Sequence, residues 1–176
     1  MLVRDHYGIK PLYYTRMGDH VLFASEMKTL VRATPEPRVD RMSLVEWSLY
    51  RNLDAPTRET LVEGVHAVLP GEIVTIRGER TLHTFFHRAT DAVDEGEYRR
   101  WSSLKPHEVV GELDVALRGI VRQQLVSDVP VGTLLSGGLD SSLITAMSAR
   151  FRRDLKAFHV SVAGFERLDE RPYAEE

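Results

Sequence analysis

Val131-Gly132-Thr133-Leu134-Leu135-Ser136-Gly137-Gly138-Leu139-Asp140-Ser141-Ser142 decides how the second half of this chain is read. The apolar run ending at Leu135 predicts a short strand, the adjacent glycines a tight turn, and Ser142 to about Arg150 a helix whose amides open toward that turn. Two neighbouring glycines let the backbone pass close to a ligand at angles a side chain forbids. Successive N–H groups and the positive helix end then form a nest for an anion such as phosphate. No Gly-Lys-Ser/Thr ending follows, so this is not a Walker A loop, and Asp140 stands where that loop would carry lysine. A carboxylate beside a phosphate needs a cation between them, so Asp140 implies Mg2+. The residues point to a nucleotide's phosphates held through backbone, hydroxyls and magnesium. A plainer account stands beside this one: a strand-to-helix turn capped by serines, with Asp140 as a helix cap.

The flanks of the loop set its architecture. Upstream, Val109, Val110, Leu113, Leu117, Ile120, Val121, Gln124 and Leu125 form one stripe of a long helix with Pro106 in its first turn. Downstream, Lys156 to Val162 predicts a strand. The order α, then β-loop-α-β, is the start of an open parallel α/β sheet. Asp169 to Glu176 has the signals of one further helical turn, and a two-stranded parallel sheet cannot cover its own faces.

The first half carries a different pattern. Leu12-Tyr13-Tyr14 and Val21 to Ala24 flank a hairpin turn at Met17-Gly18-Asp19. Ser25 is placed to cap a short helix through Met27, Leu30 and Val31, and Pro35-Glu36-Pro37 breaks it. Asp40 is placed to cap a second helix, with Leu44, Val45, Trp47, Leu49 and Tyr50 as its apolar face. Pro70-Gly71 leads into a strand pair, Glu72–Ile76 and Thr81–Phe86, turning at Arg77-Gly78. Leu2-Val3 predicts a strand with no partner before it. Residues 1–87 thus read as a mostly antiparallel domain, 88–105 as a polar linker, and 106–176 as a second domain.

The chain has 176 residues, a formal net charge of −3, and lysines and arginines spread along its length. That spread argues against a dedicated nucleic-acid or membrane surface. No apolar run reaches membrane-spanning length and no signal peptide begins the chain, so a cytoplasmic location is expected. Cysteine is absent, which excludes disulfides, cysteine-ligated zinc and a cysteine nucleophile. His83 and His87 have the spacing of a helical metal pair, but their aromatic window is strand-like and lacks a third ligand. The Arg4-Asp5…Gly8…Pro11 stretch reads as structural, an ion-paired strand end shaped by glycine and proline.

Ser127-Asp128-Val129-Pro130 together with the loop through Ser142 resembles the ATP-pyrophosphatase loop of the glutamine-hydrolysing asparagine synthetase family. Arg4-Asp5-His6-Tyr7-Gly8-Ile9-Lys10-Pro11-Leu12-Tyr13-Tyr14 and Phe23 to Lys28 are similar to the late part of that family's class II glutaminase domain. Phe158-His159-Val160 and Asp169 to Ala174 are similar to segments that follow its loop. The resemblance implies the C-terminal part of an N-terminal-nucleophile αββα glutaminase domain, followed by the start of an α/β parallel-sheet domain of the adenine-nucleotide hydrolase type. It implies ATP-dependent adenylation of aspartate and amidation by ammonia from glutamine, giving asparagine, AMP and pyrophosphate. Under it Leu135 and Val160 contact the adenosine; Ser136, Gly137, Gly138, Asp140, Ser141 and Ser142 contact the phosphates; and Asp140 holds Mg2+. Its partners are the small molecules aspartate, glutamine or ammonia, and ATP, with neither nucleic acid nor membrane, and a homodimer of the full-length enzyme stays open.

The family's glutaminase nucleophile is an N-terminal cysteine, whereas Leu2 follows Met1 here, so no catalytic residue is assigned. The chain is expected to be a middle slice of a longer enzyme and inactive alone. Two alternatives stay open: an amidotransferase acting on another carboxylate, and a non-catalytic nucleotide-binding remnant.

Overall fold

The computed structural model describes residues 1–50, 58–161, 164 and 170–175. The chain divides into two compact units, Met1–Asp94 and Glu95–Glu176.

In the first unit, β2 (Tyr13–Met17) and β3 (His20–Ala24) form the expected hairpin, with Gly18 at φ 56° in its turn. β4 (Val65–Ala67) pairs antiparallel with the other edge of β2, giving the sheet order β3-β2-β4. A second sheet has the order β1-β5-β6, from β1 (Leu2–Val3), β5 (Glu72–Arg77) and β6 (Arg80–Phe85). β1, read as a strand with no partner before it, pairs with β5 further along the chain, setting Leu2 against Val74 and Val3 against Ile73. That partner lies some seventy residues downstream, beyond the reach of any local pattern. Tyr14, Val68 and Val74 from both sheets form the core, with Leu2, Leu12, Val21 and Ile76 packed around them.

Arg4 and Asp5 brace this unit through backbone rather than through an ion pair. The Arg4 guanidinium donates to the carbonyls of Lys10, Val68 and Gly8 at 3.0, 2.8 and 2.9 Å. The Asp5 carboxylate accepts the amides of Tyr7, Ile9 and Lys10, and these hydrogen bonds hold its pKa below the usual value.

Two helices follow the first hairpin. α1 (Met27–Ala33) starts from Glu26 with no side-chain cap, so the expected Ser25 cap lies one residue early. α2 (Arg41–Tyr50) is capped as read, the Ser43 amide donating to Asp40 Oδ1 at 2.7 Å. Its apolar residues, however, stand at the surface: Val45 is 52% and Leu49 69% exposed, whereas Ser43 is buried. Apolar spacing marks a face but does not say what covers it.

In the second unit, α4 (Pro106–Gln124) is the long helix expected, with the Lys105 amide donating to the Glu108 carboxylate at 2.8 Å. The segment read as a polar linker carries a 3₁₀ turn at Ala89–Ala92 and a helix, α3 (Glu95–Ser103). α3 buries no residue, and Tyr98 and Trp101 are its only large apolar side chains, too few to mark a helical period. Glu95–Arg99 and Glu97–Arg100 pairs brace it, and Arg100 also reaches Glu112 of α4 at 2.8 Å. β7 (Gly132–Leu134) and β8 (Lys156–Phe158) run parallel on either side of α5 (Leu139–Phe151). α6 (Arg171–Glu175) ends the described chain, and Val162 of the expected longer strand lies outside the described residues.

Candidate functional site

The glycine loop joins β7 to α5 at the carboxyl end of a parallel pair. Gly132 opens β7 because Phe158 leaves no room for a side chain: a Cβ there would lie 2.6 Å from its ring. A hydroxyl contact of 3.1 Å from Thr145 to Thr133 ties α5 back onto the strand.

α5 begins at Leu139, three residues before the start read from sequence. Gly138 takes the N-cap position in extended conformation (φ −72°, ψ 161°), and the Ser142 amide makes the first helical bond to its carbonyl at 3.0 Å. Glycine needs no side-chain cap to adopt that role, which is why the helix can start inside the motif. Asp140 is therefore not the cap. It lies exposed in the first turn, where a carboxylate is favoured by the helix dipole. The amides of Leu139, Asp140 and Ser141 have no carbonyl to meet within the helix and open toward the turn.

Two serines lock the turn. The Ser136 amide donates to Ser141 Oγ at 3.2 Å, and the Gly138 amide to Ser136 Oγ at 3.3 Å. Ser141 Oγ donates to the Gly138 carbonyl at 3.1 Å. Its single hydrogen is then committed, so in the 2.9 Å contact between the hydroxyls Ser136 is the donor. Both hydroxyl hydrogens thus serve the loop itself.

Gly137 sits at φ 86°, where a side chain is strained, and an added Cβ would lie 2.7 Å from Cβ of Tyr173 and 3.0 Å from the Ala174 amide. The close approach expected from a ligand is made here by the segment that carries α6. Leu135 is half-buried and bonded on both sides: its amide donates to Phe158 O at 2.8 Å, and its carbonyl accepts from His159 Nδ1 at 2.9 Å. Val160 lies two residues past β8 and is 78% exposed. Leu135, Ser136, Gly137, Gly138, Asp140, Ser141 and Ser142 are thus gathered in one turn, with Val160 beyond the neighbouring strand end.

Among the described residues no three of His, Cys, Asp and Glu stand together as a metal site. One exposed carboxylate still fits magnesium, which keeps most of its water and binds through one or two carboxylates plus substrate phosphates.

The first unit holds a charged cluster that sequence reading missed. Glu72 is fully buried, and its Oε1 accepts from Arg58 at 2.6 Å and from His83 Nδ1 at 2.9 Å, while Oε2 accepts the Leu69 amide at 2.8 Å. Burial alone raises the Glu72 pKa. Arg58, the Leu69 amide and His83 together outweigh it and hold the carboxyl below its ordinary range. His83 is committed here, while His87 stacks edge-on against His6 and Tyr7, so the two do not form a metal pair. An acid at the start of an apolar strand was the only trace of this cluster in the sequence.

Comparison with known proteins separates the chain in the same two parts. Residues 1–87 match the glutamine amidotransferase domain family, and residues 112–176 match the asparagine synthase family. Asparagine synthetase [glutamine-hydrolyzing] 1 of Bacillus subtilis is 38% identical over 170 residues, covering 94% of this chain and 25% of the relative. Asparagine synthetase [glutamine-hydrolyzing] 3 of the same organism is 34% identical over 176 residues, covering 94% and 26%. Amidase chyE of Penicillium rubens is 32% identical over 153 residues, covering 85% and 21%. The chain spans about a quarter or less of the length of these curated relatives. With both family matches in order along it, the chain belongs to the glutamine-hydrolysing asparagine synthetase family.

Proposed function

We propose that residues 132–142 form the nucleotide half-site of an ATP-dependent ligase with glutamine as amide donor, acting on aspartate. The observation that carries this reading is the turn at Gly137-Gly138, where a positive-φ glycine and the first amides of α5, which have no acceptor within the helix, lie at the end of a parallel strand pair. In this reading an aspartate side-chain carboxylate oxygen attacks the α-phosphorus of ATP. The bond to the bridging oxygen breaks and pyrophosphate leaves with the electron pair. Ammonia then attacks the activated acyl carbon, AMP departs and a proton is lost, leaving the amide of asparagine.

The chain's own part is to bind and orient. The open amides stabilise charge developing on the leaving pyrophosphate, and Leu135 and Val160 flank the adenosine. Asp140 would hold magnesium, which when bound neutralises phosphate charge. The antiparallel unit is assigned to an N-terminal-nucleophile αββα glutaminase domain over residues 1–87. Residues 106–176 begin an adenine-nucleotide hydrolase-like sheet, and 88–105 connect them. The relatives' names and the two family matches support this assignment. Relatives named amidases favour a second reading of the acceptor alone, in which another carboxylate replaces aspartate.

Calorimetric titration of ATP with and without magnesium tests the site. Magnesium is expected to tighten ATP binding by at least tenfold, and Asp140→Ala to abolish that gain. An unchanged magnesium dependence in the variant removes Asp140 from the metal site. Pyrophosphate exchange in a relative-length enzyme bearing this segment separates aspartate from other acceptors.

A further inference from the structure

The ladder between β7 and β8 ends on a side chain. Leu134 stands opposite Phe158, and the Leu135 amide donates to the Phe158 carbonyl at 2.8 Å. Bonds in a parallel ladder alternate between the two chains, so the next rung would run from the Val160 amide to the Leu135 carbonyl. That carbonyl instead receives the His159 ring, Nδ1 to oxygen 2.9 Å. A carbonyl can only accept, so the acceptor itself assigns the hydrogen to Nδ1. β8 ends at Phe158, one residue before the ring that takes its place on Leu135.

We infer that His159 is a positioning residue for the nucleotide, its ring replacing the last backbone rung so that the chain diverges at Val160 while Leu135 stays fixed. The inference rests on the nucleotide reading above. Two consequences follow from the geometry. Leu135 is held through both its amide and its carbonyl, and its carbonyl shares a peptide plane with the Ser136 amide that bonds Ser141 Oγ at 3.2 Å. The ring thereby sets the orientation of the first donor in the turn. Val160, freed from the ladder, keeps its side chain 78% exposed. Parallel strands that diverge at their carboxyl ends make the opening in which open α/β sheets take ligands.

The experiment is calorimetric titration of Mg·ATP into the 176-residue chain and into His159→Asn, His159→Gln and His159→Leu. Asparagine places an amide nitrogen near the position of Nδ1, whereas glutamine carries it one carbon further. The leucine and glutamine variants are expected to bind about tenfold more weakly, as for one lost hydrogen bond, and asparagine within about twofold of the parent chain. Equal affinities in all four overturn the role of His159. Should His159→Leu fail to fold, the Asn and Gln pair carries the comparison. Amide exchange at Val160 separates this inference from the nucleotide reading. Protection gained in His159→Leu shows the ladder closing, and unchanged protection there overturns the substitution of ring for rung. A parent chain that does not bind Mg·ATP overturns the nucleotide reading and, with it, the positioning role, whatever the exchange result.

Discussion

Met1–Asp94 and Glu95–Glu176 differ in how far each buries its own strands. In the first unit Val65, Val68 and Val74 are 0% exposed, and all three lie in or beside paired strands. In the second, the buried apolar residues among those described are Val121 and Met147, both on helices, while β8 has no buried residue. Two hairpins bring antiparallel partners close along the chain, the long-range pairings β1–β5 and β2–β4 complete each sheet, and such sheets need only one covered face. A parallel pair needs a crossover helix and cover on both faces, and its two short strands supply neither alone. Both units carry exposed ion pairs, such as Lys28–Glu26 in the first and Arg100–Glu112 in the second, but the fully buried Glu72 is paired inside the first. The site proposed for nucleotide thus lies in the less buried unit, where a ligand could contribute the order that packing does not.

This contrast can be broken most directly at Glu72. Each unit has its own tryptophan, Trp47 in the first and Trp101 in the second, so Trp→Phe variants report the units separately during urea unfolding. Glu72→Ala leaves Arg58 and His83 without their shared acceptor and is expected to destabilise the Trp47 transition by about 3 kcal/mol. The Trp101 transition should not move. Equal shifts in both would show that the two units unfold as one.

A somewhat smaller effect sharpens the same point at glycines. Gly71 has φ 67°, and a Cβ there would collide with the His87 carbonyl. Gly18 has φ 56° but open space around it. Gly71→Ala is expected to cost roughly 2 kcal/mol and Gly18→Ala roughly 1 kcal/mol, both in the Trp47 transition. Matching losses would mean that backbone conformation alone, not the collision, sets the effect.

The smallest effect expected is that of acid. The folded-state pKa of Glu72 is depressed, so its contribution is complete above its ordinary value of 4.5 and is lost as pH falls below that value through the folded one. Glu112 is shifted in the same direction by the Arg100 hydrogen bond, but at an exposed position. High salt should therefore suppress the acid sensitivity of the Trp101 transition and spare that of the Trp47 transition. Salt sensitivity of equal size in both would contradict the burial of Glu72.

Much of this was legible beforehand, and the misses have common causes. The β2–β3 and β5–β6 hairpins, the Asp40 cap and α4 were readable because each is specified within a few residues. α3 was not readable because its apolar side is only Tyr98 and Trp101, too short a stripe to stand out from the polar residues around it. The early start of α5 depended on Gly138 acting as a cap, which a strand-turn-helix pattern does not distinguish from a longer turn. His159 was visible only as part of a similar segment, with no sign that its ring would meet Leu135.

What the sequence determined alone is the local order: an antiparallel half, then a strand-loop-helix-strand whose loop is a glycine turn with one acid. These follow from residue type and short-range spacing, which act before the chain is packed. Tertiary structure decided the rest: the β1–β5 pairing, the burial of Glu72 between Arg58 and His83, the segment set against Gly137, and the ring that ends the β7–β8 ladder. Each depends on residues brought together from separate parts of the chain, and periodicity carries no record of such meetings.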